Sequence, residues 1–167
     1  MDDKTPSTLA MHTLLLCTDA QFLGITRNVL SQLHVTPKIA SGSDAAQAMI
    51  HFHAFEVIIM DWREIDNVAD FLCAVRRSKQ NADCVLVAIV RDLLDLRQAF
   101  AAGVHFLIHK PASAVQIERC LRAAYCATVA RSPGPICWIA PGWRLITFLP
   151  SRRNFWLELF CNLMLTF

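Results

Sequence analysis

Residues 55–61 read Phe-Glu-Val-Ile-Ile-Met-Asp, and residues 102–111 read Ala-Gly-Val-His-Phe-Leu-Ile-His-Lys-Pro. In each stretch a short apolar run stops at one charged side chain, Asp61 in the first and Lys110 in the second. An apolar run without polar alternation marks a strand buried on both faces, which requires a sheet covered by helices on both sides. The flanking sequence repeats the pattern. Strands are predicted at 13–17, 36–40, 55–60, 84–89 and 104–108, and amphipathic helices at 20–33, 44–53, 67–79, 92–102 and from a Ser113 cap to 128. Ser41-Gly-Ser-Asp44 offers N-cap chemistry for the second helix. Alternating β and α segments with right-handed crossovers give an α/β, doubly wound, five-stranded parallel sheet with helices on both faces.

Composition sets the bounds. The chain has 167 residues, 16 Lys+Arg against 14 Asp+Glu, 54% hydrophobic and 18% charged residues, 5 Gly and 7 Pro. These values exclude a disordered or collagen-like chain and leave room for one sizeable core plus a fragment of a second domain. Residues 12–130 carry 11 basic and 11 acidic side chains, whereas 131–167 carry four arginines and one glutamate, so any basic surface lies in the tail. Seven cysteines, an odd number mostly set in apolar runs, read as free buried thiols of a reducing, cytoplasmic compartment. The apolar segment from Phe155 to Phe167 is well short of the ~20 residues that span a bilayer, so no membrane anchor is expected.

Ligands of an open parallel sheet sit at the carboxyl ends of its strands, near the switch point in strand order. The polar residues predicted there are Thr18 and Asp19, Asp61 and Lys110. A carboxylate in that position can attack a phosphoryl group, a neighbouring acid can help hold the divalent ion that neutralises it, and a lysine supplies fixed positive charge. Asp19 is equally well placed to cap the first helix. His51 and His53, at i and i+2 on a helix, face different directions and do not form a metal pair.

These residues resemble the receiver (CheY-like) domain of bacterial two-component response regulators. The resemblance spans about residues 12–128 and rests on F-E-V-I-I-M-D, on A-G-V-H-F-L-I-H-K-P and on R-N-V-L in the first helix. It implies a flavodoxin-like strand order of 2-1-3-4-5, phosphorylation of Asp61 by a sensor histidine kinase, a phosphoryl contact from Lys110, and Mg²⁺ held through Asp61 and Asp19. It further implies a homodimer contact across helix four, strand five and helix five, including Asp92, Asp95, Arg97, Arg119 and Arg122. The output would be transcription, and the protein a switch rather than an enzyme. The departures are specific: Cys17 and Thr18 stand where the family has two adjacent acids. Ala88 or Ile89 replaces the switch hydroxyl, and Leu107 the switch aromatic. They favour a second reading, a phosphorylation-independent pseudo-receiver serving as an interaction or dimerisation module.

A linker is expected over 129–142, where Arg131-Ser-Pro-Gly-Pro135 cannot continue a helix. The β-forming, aromatic segment 143–167 would be a short β-rich C-terminal extension. Its W-L-E-L-F-C-N-L-M-L resembles the start of an OmpR-type winged-helix domain, an incomplete one, and DNA contact is implied only where such a domain is complete.

Overall fold

The computed structural model describes residues 11–131. The expected extension at 143–167, and most of the linker, lie outside the described residues. Five parallel strands, β1 (Thr13–Leu16), β2 (Lys38–Ala40), β3 (Val57–Asp61), β4 (Val85–Val90) and β5 (Phe106–His109), form one sheet in the order β2-β1-β3-β4-β5. The helices are α1 (Ala20–Gln32), α2 (Ser43–Phe52), α3 (Val68–Arg77), α4 (Leu93–Ala101) and α5 (Ala114–Arg131), with a single 3₁₀ turn, Trp62–Glu64, directly after β3. This is the expected doubly wound sheet and strand order.

Side chains of successive strand residues leave the sheet on opposite faces, so each apolar run feeds two cores. Leu14, Leu16, Ile58, Met60, Leu86 and Ala88 pack on one face with Ile50 and Phe71, from α2 and α3. Leu15, Val57, Ile59, Val85, Val87 and Ile89 pack on the other with Val29, Leu30, Ile117 and Leu121, from α1 and α5. Every residue of β3 and β4 is buried. Among the described residues no helix is long and apolar enough to cross a membrane.

Several expected boundaries move for local reasons. The first strand ends at Leu16, leaving Cys17 just beyond it. β2 begins only at Lys38, after Pro37, which has no N–H to give a ladder. The Ser/Asp cap expected for α2 is absent: Gly42 is its N-cap, with no side-chain bond, and Asp44 sits in the first turn, where it favours the positive end of the helix dipole. By contrast Asp19, Asn67, Asp92 and Ser113 cap α1, α3, α4 and α5. α5 runs on to Arg131, so residues 129–131 are helical rather than linker. The described cysteines are not uniformly buried: Cys17 and Cys84 are enclosed, whereas Cys73 and Cys126 are exposed.

A fastener that the apolar pattern does not reveal is Asn81, wholly buried in the turn before β4. Its Oδ1 accepts from the Phe55 amide at 2.7 Å, and its Nδ2 donates to the Ile50 and His53 carbonyls, each at 2.9 Å. One side chain thus closes the end of α2 onto the approach to β3. Asn81→Ala leaves the buried Phe55 amide and Ile50 carbonyl without this partner and is expected to cost about 2–4 kcal/mol, read as a lower urea midpoint with unchanged slope.

Candidate functional site

The strand ends bring five polar side chains together. Asp61 ends β3, and its carboxylate is wholly buried. Lys110, one residue past β5, places Nζ 2.8 Å from Asp61 Oδ2 and 3.1 Å from Asp19 Oδ2. It also stacks 4.5 Å from the centroid of the Phe22 ring. Arg91, one residue past β4, reaches Asp61 Oδ2 with Nη2 at 3.4 Å. Cys17 Sγ lies 4.0 Å from Lys110 Nζ. A cleft of about 350 Å³ opens beside them, lined by Asp19, Phe22, Ile25, Arg91, Lys110 and Pro111. The Lys110–Pro111 peptide bond is cis.

Asp19 caps α1 and pairs with Lys110, one bond to each of its oxygens. Oδ1 accepts from the Phe22 amide at 3.1 Å, and Oδ2 from Lys110. These bonds, the amide first and the lysine second, hold its carboxyl below the ordinary value of 3.8. Burial works to lower the Lys110 pKa, but its hydrogen bonds to Asp61 and Asp19 outweigh that and raise it. The Cys17 thiol is pushed up to about 11, by burial above all and against the pull of Lys110.

Among the described residues, the side chains within reach of a common ion are Cys17, Asp61 and Glu64, whose ligand atoms all lie within 4.8 Å of one another. Glu64 is held by the residue after Cys17: its Oε2 accepts from the Thr18 amide at 2.6 Å and its Oε1 from the Thr18 hydroxyl at 2.8 Å. Asp19 is not one of the three. Ile89, wholly buried, sits beside Asp61 in the β3–β4 register, so no hydroxyl enters from that position.

Around this centre the 3₁₀ turn is tied to α4. Arg63 Nε donates to Asp95 Oδ2 at 2.9 Å and its Nη2 pairs with Asp92, while Trp62 Nε1 donates to Gln98 Oε1 at 3.3 Å. Asp95 is therefore buried and paired, which removes it from the exposed dimer face expected for it. Arg91 and Glu64 were missed by the sequence reading. Arg91 was reachable by the strand-end rule applied to β4, but nothing local ties Glu64 to Thr18, 46 residues earlier.

No protein-family model and no curated protein matches the chain. Solved structures do. The chemotaxis response regulator CheY4 of Vibrio cholerae superimposes with a TM-score of 0.62 at 17% identity, over 69% of this chain and 98% of that one. A CheY-like response regulator receiver domain protein from Methanospirillum hungatei gives 0.64 at 15% identity, over 74% and 99%. The receiver domain of the sensor histidine kinase PA1611 from Pseudomonas aeruginosa, with a magnesium ion coordinated in its active-site cleft, gives 0.61 at 16% identity, over 69% and 97%. The described residues thus have the fold of a receiver domain.

Two measurements test the ion-pair network. Lys110→Met leaves the buried Asp61 carboxylate with only the longer Arg91 contact for a cation and is expected to lower stability by about 3 kcal/mol, with Asp61→Asn in the same chain recovering much of the loss. A depressed carboxyl stabilises above its unfolded pKa and ceases to as the pH falls through the folded one. Asp19→Asn should therefore flatten the part of the acid-side loss of stability that lies below about pH 3.8, followed by urea titration across pH.

Proposed function

We propose that this chain is a cytoplasmic response regulator of a two-component phosphorelay, with Asp61 accepting a phosphoryl group from the phosphohistidine of a sensor histidine kinase. The observation that carries the reading is the buried Asp61 carboxylate at the end of β3, 2.8 Å from Lys110, in a receiver fold. An Asp61 oxygen attacks phosphorus, the P–N bond breaks, and its electron pair stays on the imidazole nitrogen, which takes up a proton. Lys110 and Arg91, already on Asp61 Oδ2, can follow the charge onto the phosphoryl oxygens. The outcome is a switch, not turnover. The transcriptional output belongs, on this reading, to the segment after residue 131. A homodimer through α4, β5 and α5 would use the exposed Leu93, Leu94 and Phe100 rather than Asp95.

The Mg²⁺ expected at Asp61 and Asp19 fits this donor set poorly. Mg²⁺ takes oxygen ligands in an octahedral shell and supplies charge neutralisation in phosphoryl transfer. Here the position after β1 offers the Cys17 sulfur, and Asp19 lies outside the group of ligand atoms close enough to share an ion. No step above is routed through the ion.

A second reading, the phosphorylation-independent interaction module, is favoured by one arrangement. Asp61 is neutralised by two cations in the resting protein, and the neighbouring strand offers Ile89 in place of a hydroxyl. Incubation with an acyl phosphate, read by intact mass, separates the two. The regulator gives one hydroxylamine-labile phosphoryl adduct, absent in Asp61→Asn and formed about 100-fold more slowly in Lys110→Ala. No adduct, under conditions that phosphorylate an ordinary receiver, leaves the interaction module.

A further inference from the structure

We propose that Cys17, Asp61 and Glu64 form a site for a thiophilic divalent transition-metal ion, of the zinc and cobalt class, in place of Mg²⁺. The inference does not depend on phosphorylation of Asp61. It starts from three ligand atoms, one sulfur and two carboxylate oxygens, delivered by the end of β1, the end of β3 and the 3₁₀ turn, all within 4.8 Å of one another. Zinc sits about 2.3 Å from sulfur and 2.0–2.2 Å from oxygen, so its tetrahedral ligands stand somewhat closer together than this. An inward shift, chiefly of the longer and less buried Glu64 side chain, closes the shell.

The surroundings suit an ion of this class. Cys17 is 2% and Asp61 0% exposed, which keeps competing water from two of the three ligands. Glu64 is oriented by Thr18 through both carboxylate oxygens, and each oxygen retains a lone pair for a metal. That is the outer-shell support that ligating carboxylates commonly have. Lys110 has a second carboxylate, Asp19, at 3.1 Å, to which it can move fully when an ion takes its place at Asp61. Arg91, its side chain 45% exposed, can turn to solvent. On binding, the thiol proton leaves to solvent and the fourth corner of the tetrahedron stays open to water.

Selectivity follows from the sulfur. A soft thiolate favours zinc or cobalt, and a magnesium ion gains nothing from it. With only two carboxylates left to Mg²⁺, the sulfur widens the margin in favour of zinc or cobalt.

The test uses the full chain, stripped of metal by chelator and titrated with Co²⁺. The expected result is a thiolate-to-cobalt charge-transfer band in the near ultraviolet that saturates at one equivalent, is bleached by Zn²⁺ and survives a large excess of Mg²⁺. Cys17→Ser should abolish it, and Glu64→Gln, a change at a half-exposed position, should weaken Co²⁺ binding about 100-fold. Cys17→Asp should lose the band and gain a Mg²⁺-dependent change in Trp62 fluorescence. A band that persists in folded Cys17→Ser, no band in the native chain, or ready displacement by Mg²⁺ overturns the proposal. If Cys17→Ser does not fold, Glu64→Gln decides: undiminished Co²⁺ affinity overturns it equally.

Discussion

A fully buried carboxylate at the end of the central strand is the constraint on which the rest of the site depends. An isolated charge there would cost several kcal/mol in desolvation, and removing a single partner from such a pair is strongly destabilising. Asp61 therefore requires a cation, and the nearest comes from two strands away. β4 separates β3 from β5, and the parallel register Asp61↔Ile89 and Ile89↔Ile108 sets the ends of the outer strands level across it. A lysine two residues past Ile108 then reaches back over the edge of β4 to Asp61. Sheet order, strand length and ion pair are one solution to one electrostatic demand.

Lys110 is shared. It bonds the Asp61 carboxylate and Asp19 at the mouth of α1, and lies over Phe22 on the same helix. The start of α1, the end of β3 and the β5–α5 connection are thus joined at one ammonium group. Its raised pKa reports the same arrangement, since two carboxylates stabilise the charged form more than partial burial penalises it. The sign fixes where it helps: this stabilisation is complete below the unfolded value of 10.5 and is lost as the pH rises through the folded one.

Apolar runs carried most of the fold into the sequence, because β3 and β4 are buried on both faces and admit no polar residue until they end. The strand-end rule then located Asp61 and Lys110 without any structure. What it could not locate were contacts set by folding rather than by local pattern. Glu64 meets Thr18, and Asn81 meets Phe55 and Ile50, only after crossovers bring distant segments together. Asp95 looks like an exposed helical acid by periodicity, yet it is buried because Arg63 arrives from another loop. Cys17 was legible as a departure, but its meaning as a donor depended on Glu64.

The positions that would link the centre to α4 through a hydroxyl and an aromatic ring are held by Ile89 and Leu107, and the polar connection runs elsewhere. Asp95 Oδ2 accepts from both the Arg91 amide, at 3.1 Å, and Arg63 Nε. The Arg63 amide in turn donates to Asp61 Oδ1 at 3.2 Å, and the Arg91 side chain reaches Asp61 Oδ2. Two arginines therefore stand between two buried carboxylates, one in the centre and one on α4, each bonded to both. Trp62, buried in the core, adds its indole bond to Gln98 on the same helix. α4 itself meets the sheet mainly through Ala99 and the partly buried Leu96, so its apolar anchorage is small. The helix most weakly held by packing is the one most directly wired to the charge at Asp61.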